Sequence, residues 1–92
     1  MEIFDLIQEC KKGLGISLDS VAFDGLLQQK ILTIQSFMKG AGVPVEKLSD
    51  DLAVGVIVMG VADIWEQSGG EVRFSPVFNT MLTQLTYPDG VT

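Results

Sequence analysis

The chain opens with apolar residues at the spacing of one helix face. Ile3, Leu6, Ile7, Cys10 and Leu14 recur at steps of three and four. Glu2 and Asp5 stand in the first turn and Lys11–Lys12 in the last, the order a helix dipole favours. This pattern predicts a helix over Glu2 to Lys12, stopped at Gly13. Gly13 to Ser17 reads as a connecting loop, and Asp19 or Ser20 can cap the next helix. That longer helix is expected from about Ser20 to Lys39. Its stripe is Phe23, Leu27, Ile31, Ile34 and Met38, widened by Leu26 and Phe37. Gln28, Gln29, Lys30, Thr33 and Gln35 form its polar back, and Gly40, Gly42 and Pro44 end it.

Pro44 to Leu48 reads as a single short turn. Ser49 then caps a third helix, opened by Asp50 and Asp51 and running to about Gln67. From Leu52 to Ala62 this helix has no polar side chain, the pattern of a helix buried on every side. Gly55 and Gly60 each weaken a helix interior by about 1 kcal/mol relative to Ala, so close approach by a neighbouring helix is expected at both. Ser68-Gly69-Gly70 is a break, and Glu71-Val72-Arg73-Phe74 alternates polar and apolar as an extended segment does. Ser75-Pro76 reads as an N-cap followed by proline at the first helical position. The last helix covers Pro76 to Leu85, with Val77, Phe78, Met81, Leu82 and Leu85 apolar. Tyr87-Pro88-Asp89-Gly90 is a turn, and the chain after about residue 86 is a tail. The expected fold is all-α: one domain over residues 1–92, a compact bundle of about four helices with a short extended segment near residues 71–74.

Composition adds a surface to this picture. Apolar residues make up 47% of the 92 and charged residues only 20%, with a mean hydropathy of +0.36. A domain this small has much surface to cover, so a contiguous apolar patch buried against another chain is expected. Net charge is −6. Of the few cations only Lys11 and Lys12 are adjacent, which argues against tracking nucleic-acid phosphates.

Candidate chemistry is sparse. The chain has no His, so the commonest general base and the usual zinc donors are missing. Cys10 is the single cysteine, expected as a buried inert thiol with no disulfide partner in the chain. Asp50–Asp51 reads as charge at a helix N-terminus. Asp63 and Glu66 read as solvent-facing or paired with a basic group. No catalytic site, metal or cofactor is expected. Glu2 and Asp5 are unlike the basic start of a signal peptide, and the longest apolar run is about half a membrane span. The expectation is a soluble protein made in a cytoplasm, with no membrane partner. Asp19-Ser20-Val21 is superficially similar to the site where acyl carrier proteins take their phosphopantetheine arm. Ser20 comes too early in the chain for that fold, which leaves a weak alternative.

The order of motifs is more specific. Leu14-Gly15-Ile16 follows a short amphipathic helix, and a long helix ends at Lys39-Gly40-Ala41-Gly42-Val43-Pro44. Asp51-Leu52-Ala53-Val54-Gly55 opens an apolar helix that closes on Asp63-Ile64-Trp65. Gly69-Gly70-Glu71-Val72-Arg73-Phe74-Ser75-Pro76-Val77-Phe78 leads into the last helix. In this order the motifs resemble the small head–tail connector proteins of long-tailed bacteriophages, also called adaptor, head-completion or DNA-packaging proteins. The resemblance runs from the first residue to about Leu85. It implies a non-enzymatic helical subunit, without a cofactor, that assembles as a homo-oligomeric ring at the head–tail junction of the virion. Such a ring docks under the portal protein, meets the next tail-side connector and lets DNA pass without sequence-specific binding.

The residues themselves single out Gly69, Gly70, Glu71, Val72, Arg73, Phe74, Ser75, Pro76 and Phe78 as a candidate subunit interface. That segment joins a glycine hinge to apolar side chains in an unusual loop. Two alternatives stay open. Phe74 and Phe78 could close the protomer's own core, and the chain could be a generic helical protein–protein interaction domain.

Overall fold

Among the described residues four α-helices and one 3₁₀ turn succeed one another: α1 (Ile3–Leu14), α2 (Asp24–Gly40), the turn at Val45–Lys47, α3 (Asp51–Ile64) and α4 (Pro76–Leu85). The computed structural model describes residues 2–67 and 73–87. The all-α bundle and the short turn after Pro44 are as the sequence pattern predicts. Arg73 and Phe74 are non-helical, and no strand occurs among the described residues. The first half of the expected extended segment, the Ser68-Gly69-Gly70 break and the chain after Tyr87 lie outside the described residues.

Helix α3 is the hub. It packs against α1, α2 and α4, while α1 also meets α2. The core joins Leu27, Ile31, Ile34 and Met38 of α2 to Val56, Ile57 and Val61 of α3, with Phe78 of α4 fully buried among them. Gly60 is what lets three elements meet. A Cβ there would lie 2.7 Å from Phe78 Cε2, closer than real Cβ contacts come, and a tight 3.0 Å from Ile34 Cδ1. Gly55 behaves differently from expectation. It is exposed, and the nearest atom to a Cβ built on it is Met81 Cε at 4.0 Å. Nor is α3 buried on every side. Asp51, Gly55 and Ala62 form an exposed line along it, because the three other helices cover only part of its circumference.

Two helix boundaries shift for identifiable reasons. Gly13 does not stop α1. The helix continues to Leu14, and Gly15 caps it in the left-handed region at φ 73°, its N–H donating to the Lys11 carbonyl. Gly13 is a packing glycine instead: its Cβ would stand 2.6 Å from Val58 Cγ1 of α3. Helix α2 begins at Asp24 rather than Ser20, so neither Asp19 nor Ser20 caps it. Phe23 occupies the cap position with no side-chain cap bond.

The cause of the second shift is Lys11, which is only 1% exposed. Its ammonium pairs with the Asp24 carboxylate at 2.8 Å and donates to the Ser20 carbonyl at 2.6 Å and the Leu18 carbonyl at 3.4 Å. The backbone of residues 18–20 therefore turns toward the cation instead of coiling. At α3 the cap position falls to Asp50 rather than Ser49, and the helix ends at Ile64, short of Gln67.

The two α3 glycines should respond oppositely to substitution. Gly55→Ala gains helix propensity without a clash and should raise unfolding free energy by up to about 1 kcal/mol. Gly60→Ala must displace Phe78 or Ile34 and should lower it by about 1–3 kcal/mol. Urea unfolding followed by circular dichroism reads both, and a destabilised Gly55→Ala would contradict the packing described here.

Candidate interaction surface

The segment singled out in the sequence is anchored by two polar side chains. Gln67 clamps Arg73 on both sides: its Oε1 accepts from the Arg73 N–H at 2.8 Å and its Nε2 donates to the Arg73 carbonyl at 2.8 Å. Asp63 Oδ2 accepts from the Ser75 N–H at 2.9 Å. The sequence suggested that Asp63 faces solvent or pairs with a basic side chain; its carboxylate instead holds the entry to α4, at the helix end where a negative charge is favoured. Ser75 caps α4 as expected, its Oγ accepting from the Phe78 N–H at 3.2 Å, with Pro76 in the first turn.

The aromatic residues sort into core and surface. Phe78 is fully buried, so its place among the candidate interface residues is corrected: it belongs to the protomer's own core. Phe74 is half-buried, stacked on Phe78 at 4.2 Å between ring centroids and 5.0 Å from Phe37. Arg73 and Pro76 are exposed and Ser75 is half-buried. Gly69, Gly70, Glu71 and Val72 lie outside the described residues.

A larger feature was hidden in the sequence. Phe23, Leu26 and Phe37, assigned there to the core stripe of the second helix, are each 44% exposed. Along α2 they share one flank with Lys30, which donates to the Ile64 carbonyl at 3.5 Å. Phe23 meets the edge of Trp65 at 5.8 Å at one end of the flank, and Phe37 meets Phe74 at the other. Only the 3.6-residue period could have given a hint, since Phe23, Leu26 and Phe37 sit at the margin of the stripe centred on Leu27, Ile31, Ile34 and Met38.

Elsewhere on α3, Gly55 points about 140° around the helix from Gly60 at 100° per residue. There Glu9 and Gly13 of α1 and Asp51, Val54, Gly55 and Val58 of α3 line an open groove of about 440 Å³. Of its two glycines, Gly55 has open space above it, while Val58 packs onto Gly13.

Reactive groups are few. Cys10 is fully buried. Burial, with a smaller contribution from the Glu9 charge, pushes its thiol from 9.0 up to about 11. Among the described residues no group of three His, Cys, Asp or Glu could hold a metal ion. No helix there is long and apolar enough to cross a membrane. Ser20 lies in the connection between α1 and α2, four residues ahead of α2, with its carbonyl engaged by Lys11.

The raised thiol has two measurable consequences. A thiol kept neutral by folding stabilises the protein fully below its ordinary value of 9.0, and this contribution is lost as pH rises toward about 11. Iodoacetamide at pH 8 should therefore leave native Cys10 unmodified and label it on addition of denaturant; rapid labelling of the native protein would contradict its burial. Comparison with known proteins adds no further constraint: no family model, no curated protein and no solved structure matches this chain.

Proposed function

We propose that this chain is a non-enzymatic structural subunit of a viral head–tail connector, assembling as a ring that docks under a portal and extends the DNA channel toward the tail. The order of motifs from Leu14-Gly15-Ile16 to Ser75-Pro76-Val77-Phe78 carries the proposal, through its resemblance to that family. The surface supports it. A chain of 92 residues that leaves Phe4, Phe23, Leu26, Leu32, Phe37 and Val77 exposed has apolar area for more than one neighbour. A net charge of −6 suits a lumen through which DNA slides without sticking. The partners are further copies of the chain, the portal protein and the next connector on the tail side, with no membrane and no cofactor.

Negative-stain images of the purified protein, alone and mixed with portal rings, test this proposal. Closed rings, or a complex with the portal, are expected. A stable two-fold dimer at every concentration that ignores portals would favour a generic helical interaction domain instead.

Val77→Asp probes the exposed side of the first turn of α4 without disturbing the fold. Val77 is 55% exposed and sits in the first turn, where an acidic residue is favoured by about 0.3–1 kcal/mol. The variant should keep or gain thermal stability while losing assembly. Unchanged assembly would remove the start of α4 from the interface.

A further inference from the structure

We infer that the connection between α1 and α2 is a strap with two states: Lys11 holds it bent, and when the ammonium lets go, Val21, Ala22 and Phe23 coil into a further turn of α2. The sequence carries the signals for that turn. Asp19 and Ser20 are favoured cap residues, and the three residues that follow include neither proline nor glycine. In the structure α2 nonetheless begins at Asp24, with Phe23 at the cap position and no side-chain cap bond. Local preference and observed conformation disagree here, so a contact from elsewhere in the chain decides between them.

The hydrogen bonds identify that contact. In a helix capped by Ser20, the Ser20 carbonyl accepts the first helical bond, from the Asp24 N–H. Here the Ser20 carbonyl accepts from Lys11 Nζ at 2.6 Å, and the Asp24 N–H donates to the Val21 carbonyl at 3.3 Å instead. The longer helix is blocked at the acceptor from which it must start. Lys11 grips the rest of the strap as well. Its own carbonyl accepts from the N–H of Gly15 and from that of Ile16 at 2.9 Å. Its ammonium also reaches the Leu18 carbonyl at 3.4 Å and the Asp24 carboxylate at 2.8 Å. An ammonium only 1% exposed has no water to exchange for these partners.

The coiled state needs no rebuilding of the core. Val21 is 75% exposed and Ala22 is exposed, so coiling them displaces no buried side chain. The turn closed by the Ser20 N–H on the Ser17 carbonyl, at 3.1 Å, can open to supply the length that coiling takes up. A partner that contacts the exposed Val21 side and prefers it coiled shifts the strap, by as much as its affinities for the two states differ. The switch needs no second copy, so it stands or falls apart from the connector proposal.

Lys11→Met tests the switch, since it keeps a buried stem and removes the ammonium. The readout is the backbone carbon chemical shifts of Ser20 to Asp24. Helical shifts are expected at Val21, Ala22 and Phe23, where the unmodified chain shows a turn. Adding Ala22→Gly should then lower the ratio of coiled to bent strap about fivefold, the cost of glycine inside a helix, while the same substitution leaves the bent strap of the unmodified chain as it is. A lysine that only supports the fold would produce neither change. Asp24→Asn covers a Lys11→Met chain that does not fold: it removes one partner of the ammonium at a side chain 33% exposed, and it should raise the coiled population above that of the unmodified chain. The switch is overturned if Val21 to Phe23 keep their turn shifts or lose all structure in folded Lys11→Met, or in Asp24→Asn where Lys11→Met does not fold. It is equally overturned if Ala22→Gly acts alike with and without the ammonium.

Discussion

Everything in this molecule is arranged around covering α3. Eleven successive residues, Leu52 to Ala62, offer no polar side chain to water. Each buried apolar side chain is worth about 1.5–3 kcal/mol, so the helix must be enclosed for the chain to fold. Three helices do this, and Gly60 sets how closely two of them approach, by leaving the space that Phe78 and Ile34 occupy. Gly13 performs the same service for α1 against Val58. Three helices cannot close the whole circumference, and the uncovered line at Asp51, Gly55 and Ala62 remains at the surface. The groove is thus a consequence of core construction rather than an addition to it.

Lys11 makes a second arrangement possible. An ammonium buried without partners would cost several kcal/mol. Here a carboxylate and two backbone carbonyls surround it, the carbonyls from the connection between α1 and α2 and the carboxylate from the first residue of α2. The cation therefore shapes that connection, delays the start of α2 to Asp24 and ties the two helices together. With Phe23 at the cap position instead of inside the helix, its ring swings against Trp65. The result is a helix whose inner stripe is buried and whose adjoining flank carries half-exposed aromatic residues.

Much of the fold was legible in the sequence because it depends on local signals. The apolar period gave four helices, Ser75-Pro76 gave the start of α4, and Gly-Ala-Gly-Val-Pro gave the end of α2. The errors share a cause. Gly13 and Gly15 both qualify as helix stops, and only contact with Val58 separates a packing glycine from a capping one. Ser20 has the chemistry of a cap, but its carbonyl is claimed by a cation nine residues earlier. Phe78 was grouped with surface candidates because its depth is set by Gly60, eighteen residues before it. Of the candidate interface, the polar anchors Asp63 and Gln67 were not legible at all, since their partners are backbone N–H and carbonyl groups that no residue pattern displays.

Trp65 offers the most direct view of the central claim, that apolar surface left over from enclosing α3 is covered by further copies of the chain. It is the only tryptophan, and it lies against Phe23 at one end of the exposed flank. Its emission maximum and its quenching by acrylamide should be followed as protein concentration rises and mass increases. Covering the flank predicts a shift to the blue and a fall in quenching that track the growth in mass. Growth in mass with no change in Trp65 emission would place the contact elsewhere and contradict the account.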